Sequence, residues 1–289
     1  MSYNSVTITM ANETDSCELY LDLMKKCLTR YIFPETYGPL RRPPLTIKHL
    51  AWIAYPPIAA FLKKRGMMVY QETKVDLGRR AEGRDWPADA ETMIGLRRLD
   101  NLHYCVQEVI KENIPGDFIE TGVWRGGACI FLRAVLKAYD DKTRRVWVAD
   151  SFEGLPKPDG RYEQDKGDRH WKKSDVLGIS QEQVKANFLR YGLLDEQVQF
   201  LKGWFKDTLP TAPIERLAIL RVDGDMYAST MDALTNLYER VSVGGFVIID
   251  DYGEIETCRQ AVDDFRKSRG IDTPLIAIDK VGVYWKKAA

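Results

Sequence analysis

Four short apolar runs in this 289-residue chain each finish on an acid. They are Asp117-Phe118-Ile119-Glu120, Val146-Trp147-Val148-Ala149-Asp150, Leu217 to Asp223 (continuing into Gly224-Asp225), and Phe246-Val247-Ile248-Ile249-Asp250-Asp251. Runs this short, rich in β-branched and aromatic residues and separated by helical patterns, read as buried parallel strands. An open parallel sheet receives its ligands outside the carboxyl ends of its strands. The acids therefore converge on one edge of one sheet, and that edge is the expected site.

The intervening patterns fill in the fold. Leu96, Leu99, Leu102, Val106, Val109 and Ile110 recur at helical spacing, and Asn113-Ile114-Pro115-Gly116 stops that helix. A glycine-rich turn and a helix over 128–138 follow the first strand, and the second runs over 145–150. The charged segment 156–177 has no pattern, and loops of that length in a compact domain are often functional lids. Ser180-Gln181-Glu182-Gln183 fits a capping box with Ile179 and Val184 as its hydrophobic staple, and Gly192 closes the helix. Further strands are expected at 198–201, 217–222 and, after a helix over 231–241 and a Gly244-Gly245 turn, 246–251. A helix around 258–267 precedes 275–278 and 283–285, which read as a closing hairpin. The fold class is α/β, a doubly wound, mostly parallel seven-stranded sheet with a terminal antiparallel hairpin.

Residues 1–90 read differently, as a helical appendage to a domain spanning 91–289. Leu19, Leu21, Leu23-Met24 and Leu28 mark one amphipathic helix, Pro34 to Pro44 is irregular, and 71–90 is a polar linker or lid. The most apolar stretch, Leu50 to Leu62, is too short to span a bilayer and contains Pro56-Pro57. The basic tail Lys63-Lys64-Arg65 leaves a weak case for membrane-surface contact, and a helical cap or a contact in a homo-oligomer is the better reading. Lys+Arg and Asp+Glu balance at 42 each, so no basic excess points to nucleic acid. Five scattered cysteines show no zinc spacing and read as reduced thiols of a cytoplasmic protein. Glu13, Asp15 and Glu18 interrupt any secretion-signal pattern.

The turn after the first strand is Glu120-Thr121-Gly122-Val123-Trp124-Arg125-Gly126-Gly127. Glycine lets the backbone turn tightly and approach a ligand. A nicotinamide-binding fold would place G-x-G-x-x-G here. An acid in this turn suits a cationic ligand better than a pyrophosphate, and S-adenosylmethionine carries a sulfonium and an amino group but no phosphate. The bland alternative is a bare strand-to-helix turn. Asp150, at the next strand end, favours the cofactor because an acid there can accept from both ribose hydroxyls.

Asp223-Gly224-Asp225 and Asp250-Asp251 crowd carboxylates together, which is unfavourable without a counter-charge. An all-oxygen set selects Mg²⁺, Mn²⁺ or Ca²⁺ over zinc. Helix capping is a respectable alternative for Asp225 alone. The chemistry that follows is methyl transfer from sulfonium to an acceptor hydroxyl. A metal would acidify and orient that hydroxyl, and a nearby carboxylate would take its proton. Chelation through two adjacent oxygens implies a vicinal diol.

These residues resemble the macrocin O-methyltransferase (TylF-type) family. The similar blocks are Thr92-Met93-Ile94-Gly95-Leu96, Asp117 to Gly127, Asp150 to Pro156, Tyr191 to Leu194, Gly203 to Pro210, Leu220 to Tyr227, and Gly244 to Gly253. They run in family order over roughly residues 90–289. The resemblance implies a Rossmann-like, S-adenosylmethionine- and Mg²⁺-dependent enzyme that methylates a sugar hydroxyl of a macrolide or aminocoumarin type glycoside. It implies Asp223, Asp250 and Asp251 as metal ligands and Asp225 as general base. Glu120, Gly122, Asp150 and Ser151 would hold the cofactor, Thr92 and Met93 would close over it, and Gly203-Trp204 would line the adenine.

Several residues carry two readings. His170-Trp171 lies in the expected lid, where a solvated histidine outweighs a catalytic one. His49, His103 and Arg41-Arg42 read as structural or solvated. Arg125 contacts the cofactor carboxylate or anchors a turn, and Tyr227 and Tyr252 are pocket walls or core aromatics. Among functions, a catechol-type methyltransferase acting on an aromatic diol is the alternative. The glycine turn disfavours a dehydrogenase, and the retained acids argue against a binding protein without catalysis.

Overall fold

The computed structural model describes residues 15–35, 37–40, 55–72 and 74–289. Glu13, Arg41-Arg42, His49 and the 50–54 part of the apolar stretch lie outside the described residues.

The chain opens with α1 (Ser16–Leu28), β1 (Tyr37–Pro39), α2 (Tyr55–Lys64), β2 (Tyr70–Glu72), α3 (Leu77–Ala81) and α4 (Gly95–Lys111). The alternating part follows: β3 (Asp117–Thr121), α5 (Gly127–Ala138), β4 (Val146–Asp150), α6 (Ser174–Leu177), α7 (Gln181–Arg190) and β5 (Val198–Lys202). It continues through α8 (Phe205–Thr208), β6 (Leu217–Val222), α9 (Tyr227–Leu237), β7 (Val241–Ile249), α10 (Glu256–Arg269), β8 (Ile276–Ala277) and β9 (Val283–Lys286). β1 and β2 form a separate antiparallel ribbon.

The large sheet has the order β5-β4-β3-β6-β7-β9-β8. Neighbours from β5 to β7 are parallel, and β9 runs antiparallel to both β7 and β8. The chain builds outward from β3 to β5, then returns to lay β6 on the other side of β3. That reversal places a topological switch point between β3 and β6, where such sheets bind ligands.

Both faces of the sheet are covered, which explains the continuous apolar runs. Phe118, Val148, Ile219, Phe246 and Ile248 join a core with α4 and α5. Their neighbours Ile119, Trp147, Ala149, Leu220, Val247 and Ile249 join a second core with α9 and α10. Helix α1 adds buried Leu21, Met24 and Leu28 to the first core, while Leu19 and Leu23 face solvent.

Several boundaries differ from the sequence reading. The fifth strand of the alternating part begins at Val241, and Gly244-Gly245 lies inside it. Leu217 pairs with Val241 but Ile219 pairs with Phe246, so the glycines sit in a bulge. Gly244 has φ 83°, and a Cβ on Gly245 would stand 2.8 Å from the Ala218 carbonyl oxygen. The helix expected over 231–241 starts earlier, at Tyr227, and tightens to a 3-10 turn over Tyr238–Arg240. The segment 156–177 is not wholly irregular: it holds two 3-10 turns and α6. Only half the capping box forms. Gln183 N donates to Ser180 Oγ at 3.2 Å, but the Gln183 side chain donates to Asn187 Oδ1 at 3.1 Å.

Candidate active site

A cavity of about 1000 Å³ opens at the carboxyl ends of β3, β4, β5, β6 and β7. Its wall includes Thr92, Met93, Glu120, Gly122, Asp150, Ser151, Gly203 and Trp204, with Asp223, Asp225, Asp250 and Asp251. The cofactor, metal and base residues that the family resemblance implies therefore all line one chamber, whereas Arg125, Tyr227 and Tyr252 do not.

The β3 end explains its glycine. Gly122 has φ 90°, and a Cβ there would lie 1.7 Å from the Asp223 carbonyl oxygen. Only glycine lets the ends of β3 and β6 approach so closely. Asp150 then clamps this turn from the next strand. Its Oδ2 accepts from Val123 N at 2.8 Å and its Oδ1 from Phe152 N at 2.7 Å. Asp150 also lines the cavity, where it can meet a ligand. Burial pushes Asp150 up from the usual carboxylate range, against the pull of these amides. Ser151 shapes the following turn, donating to the Gly154 carbonyl at 2.8 Å.

Thr92 and Met93 belong to a strap laid over the start of α5. Gly127 N donates to the Glu91 carbonyl at 3.0 Å, and a Cβ on Gly127 would come within 2.6 Å of that residue. Arg125 donates to the carbonyls of Ala88 and Ala90, so it anchors this strap. Gly203 N donates to the Asp150 carbonyl at 2.9 Å, which carries Trp204 to the same rim.

Glu120 is almost wholly buried and its carboxylate faces inward as much as toward the cavity. It accepts from Arg221 and, at 2.9 Å, from the Cys129 thiol. Arg221 is the hub of the acidic side. Its Nη1 also donates to Asp223 Oδ2 at 2.8 Å, and its Nη2 donates to Asp250 Oδ1. Arg98, from α4, donates to the other Asp250 oxygen at 2.5 Å and lies 3.2 Å from Asp279.

One oxygen from each of Asp223, Asp250 and Asp251 falls within 4.8 Å of the others. Burial would raise Asp250, but Arg221 and Arg98 outweigh it and hold the carboxyl below its usual range. Asp223 and Asp251 are pushed well up by burial and then by the neighbouring carboxylates. Asp223, Asp250 and Asp251 crowd together beside two arginines, and their all-oxygen donor set fits a hard divalent cation. Asp225 sits beside it in the left-handed region, φ 56°, with its amide donating to Asp251 Oδ2 at 3.3 Å.

The 156–177 segment roofs the chamber. Trp124 Nε1 donates to the Val176 carbonyl at 2.9 Å, and His170 Nδ1 lies 3.0 Å from Asp168 at the cavity wall. Tyr227 and Tyr252 direct their hydroxyls at Asp264 and Asp263 of α10, each at 2.9 Å. The capping oxygens at the start of α9 come from Asp165, not from the turn that carries Asp225.

Arg221, Arg98 and Asp165 were not singled out from the sequence. Arg221 had a signal, being the only charge inside the run Leu217–Val222. Arg98 falls on the apolar stripe of α4 beside Leu99 and Leu102. Asp165 had none, since it is one acid among many in a charged segment.

The profile of the family Macrocin-O-methyltransferase (TylF) matches residues 17–287. A relative from Streptomyces olivaceus, 8-demethyl-8-(2,3-dimethoxy-alpha-L-rhamnosyl)-tetracenomycin-C 4'-O-methyltransferase, is 51% identical over 276 residues, covering 95% of each chain. Demethyldecarbamoylnovobiocin O-methyltransferase of Streptomyces niveus is 58% identical over 210 residues, 72% of this chain and 80% of that one. The solved structure of the O-methyltransferase NovP matches with a TM-score of 0.79 at 47% identity, over 94% of this chain and 100% of that one. The chain is therefore an O-methyltransferase and belongs to the macrocin-O-methyltransferase family.

Proposed function

We propose that this enzyme transfers a methyl group from S-adenosylmethionine to a sugar hydroxyl of a natural-product glycoside, assisted by Mg²⁺. The observation that carries the proposal is the meeting, in one cavity, of the Gly122–Asp150 turn and the Asp223, Asp250, Asp251 cluster. The Streptomyces olivaceus relative is named for O-methylation of a rhamnosyl-bearing compound, which supports a sugar acceptor. Nothing comparable supports the aromatic diol alternative.

In this reading Asp150 accepts from the ribose hydroxyls while Glu120, Gly122 and Ser151 shape the floor beneath the cofactor. Gly203 and Trp204 line its base, and the strap bearing Thr92 and Met93 covers it. Asp223, Asp250 and Asp251 would hold Mg²⁺, or Mn²⁺ in its place, which when bound lowers the pKa of an acceptor hydroxyl. Asp225 takes the hydroxyl proton, and its fixed position beside the cluster provides the alignment that in-line transfer requires. Residues 1–90 act as cap and 91–289 as the catalytic part. No described helix is long and apolar enough to cross a membrane. Exposed Ile58, Phe61, Met67 and Met68 support a homo-oligomer with the cap as its contact.

Calorimetric titration with S-adenosylhomocysteine, with Mg²⁺ in one series and EDTA in the other, tests the first half. Binding in both series is expected, with the metal serving the acceptor. Methyl transfer to demethyldecarbamoylnovobiocin and to rhamnosyl glycosides, again with Mg²⁺ or EDTA, tests the second. Absence of binding in both series would overturn the cofactor assignment, and full turnover in EDTA would remove the metal.

A further inference from the structure

Helix α9 follows directly on the turn Asp223-Gly224-Asp225-Met226, and its own N-cap residue, Met226, supplies no side-chain cap. The first amides of a helix lack intrahelical acceptors and need partners. Here they find them on the lid. Asp165 Oδ1 accepts from Tyr227 N and Asp165 Oδ2 from Ala228 N, both at 2.9 Å, across 62 and 63 residues of sequence. Asp165 is 2% exposed, so the contact is shielded from water. Two further contacts fasten the same stretch of lid to α9. Arg161 donates to both oxygens of Asp232 at 2.8 and 2.9 Å, and the Tyr162 ring lies 5.0 Å from the Tyr227 ring.

The turn so capped is a strained one. Asp225 holds φ 56°, and a non-glycine residue keeps that conformation only when its surroundings impose it. On one side Asp223 N is tied to the Thr121 carbonyl at 2.9 Å, and Asp225 N reaches Asp251. On the other side the restraint is the cap on Tyr227 and Ala228. We infer that Asp165 is a positioning residue: by capping α9 from the lid it fixes the turn that aims Asp225, so the base is aligned only while 161–165 is seated. A segment that closes over the acceptor thereby also completes the geometry for removing its proton.

This rests on the proposed role of Asp225, and the experiment separates the two. Asp165→Ala and Asp165→Asn are compared with wild type, using demethyldecarbamoylnovobiocin as acceptor. Misplacement on the ångström scale costs up to about 100-fold. The expected result is a kcat lowered about 10- to 100-fold in Asp165→Ala, with S-adenosylhomocysteine affinity within twofold of wild type. Asp165→Asn, which keeps one acceptor oxygen, restores most of the loss. Hydrogen exchange of the Tyr227 and Ala228 amides, which needs no acceptor, is expected to accelerate in Asp165→Ala. A kcat within twofold of wild type, unchanged exchange, or a parallel collapse of cofactor binding would each overturn the inference. A wild type inert toward this acceptor would count against the glycoside reading, and the exchange result alone would then decide the cap.

Discussion

Trp124 Nε1 donates to the Val176 carbonyl at 2.9 Å, joining the turn after β3 to the far end of the lid. Trp124 itself holds φ 47°, one of the left-handed positions in the loops around the cavity, with Phe152 and Asp225. Trp124→Phe keeps the ring and removes the donor. A neutral hydrogen bond contributes about 0.5–1.5 kcal/mol, so lid closure should weaken by roughly two- to tenfold. Faster proteolysis within 157–177 and a raised acceptor KM are expected, with kcat at saturation little changed. Unaltered proteolysis would mean that the Trp124 tie does not restrain the lid.

Asp225→Asn preserves size and removes the base. General-base catalysis typically contributes 10²–10⁴-fold, so turnover should drop by about that factor while S-adenosylhomocysteine still binds. Single-turnover transfer and calorimetry on the same preparation check both halves. Undiminished turnover would assign removal of the hydroxyl proton to another base, for which His170 at the cavity wall is the first candidate.

Arg221 holds Glu120, Asp223 and Asp250 together, and its side chain is 2% exposed. Breaking a buried ion pair by removing one partner costs about 3–5 kcal/mol, because the remaining charge is left uncompensated. Arg221→Met should lower Tm by several degrees or more. Adding Glu120→Gln to it should recover part of the loss, since one stranded carboxylate becomes neutral. Additive effects in chemical denaturation would show that Arg221 and Glu120 act independently.

His103 links α1 to the domain. Lys25 Nζ lies 3.3 Å from its Nδ1 and Tyr139 OH 2.7 Å from its Nε2. An ammonium can only donate, so Nδ1 is the acceptor and the neutral ring carries its proton on Nε2. Burial, then the Lys25 charge, holds the His103 pKa below its ordinary value. A depressed pKa means that the unfolded chain takes up the proton first. The associated stability is complete above about pH 6.5 and declines as pH falls below it. Urea midpoints between pH 7.5 and 5.5 should fall more steeply for wild type than for His103→Gln. Equal slopes would assign the pH dependence to other groups.

The strands were legible because burying both faces of a parallel strand requires an uninterrupted apolar run, as in Phe246 to Ile249. The acids were legible because the fold puts strand ends on one edge, and Glu120, Asp150, Asp223, Asp250 and Asp251 do share a cavity. Turn chemistry was less legible. Gly244-Gly245 looked like a turn from composition, yet it is a bulge because β7 must slide past Ala218 while keeping its pairing with β6.

By itself, then, the sequence determined the α/β class, the site edge and the carboxylates gathered there, since each follows from local periodicity and strand polarity. Tertiary structure decided which charges neutralise one another and what holds the turns. Arg98 meets Asp250 across 152 residues, Arg221 meets Glu120 across 101, and Asp165 caps Tyr227 across 62. No local pattern records such pairings. They exist because a buried charge or an uncapped amide takes whatever partner the closed fold brings within reach.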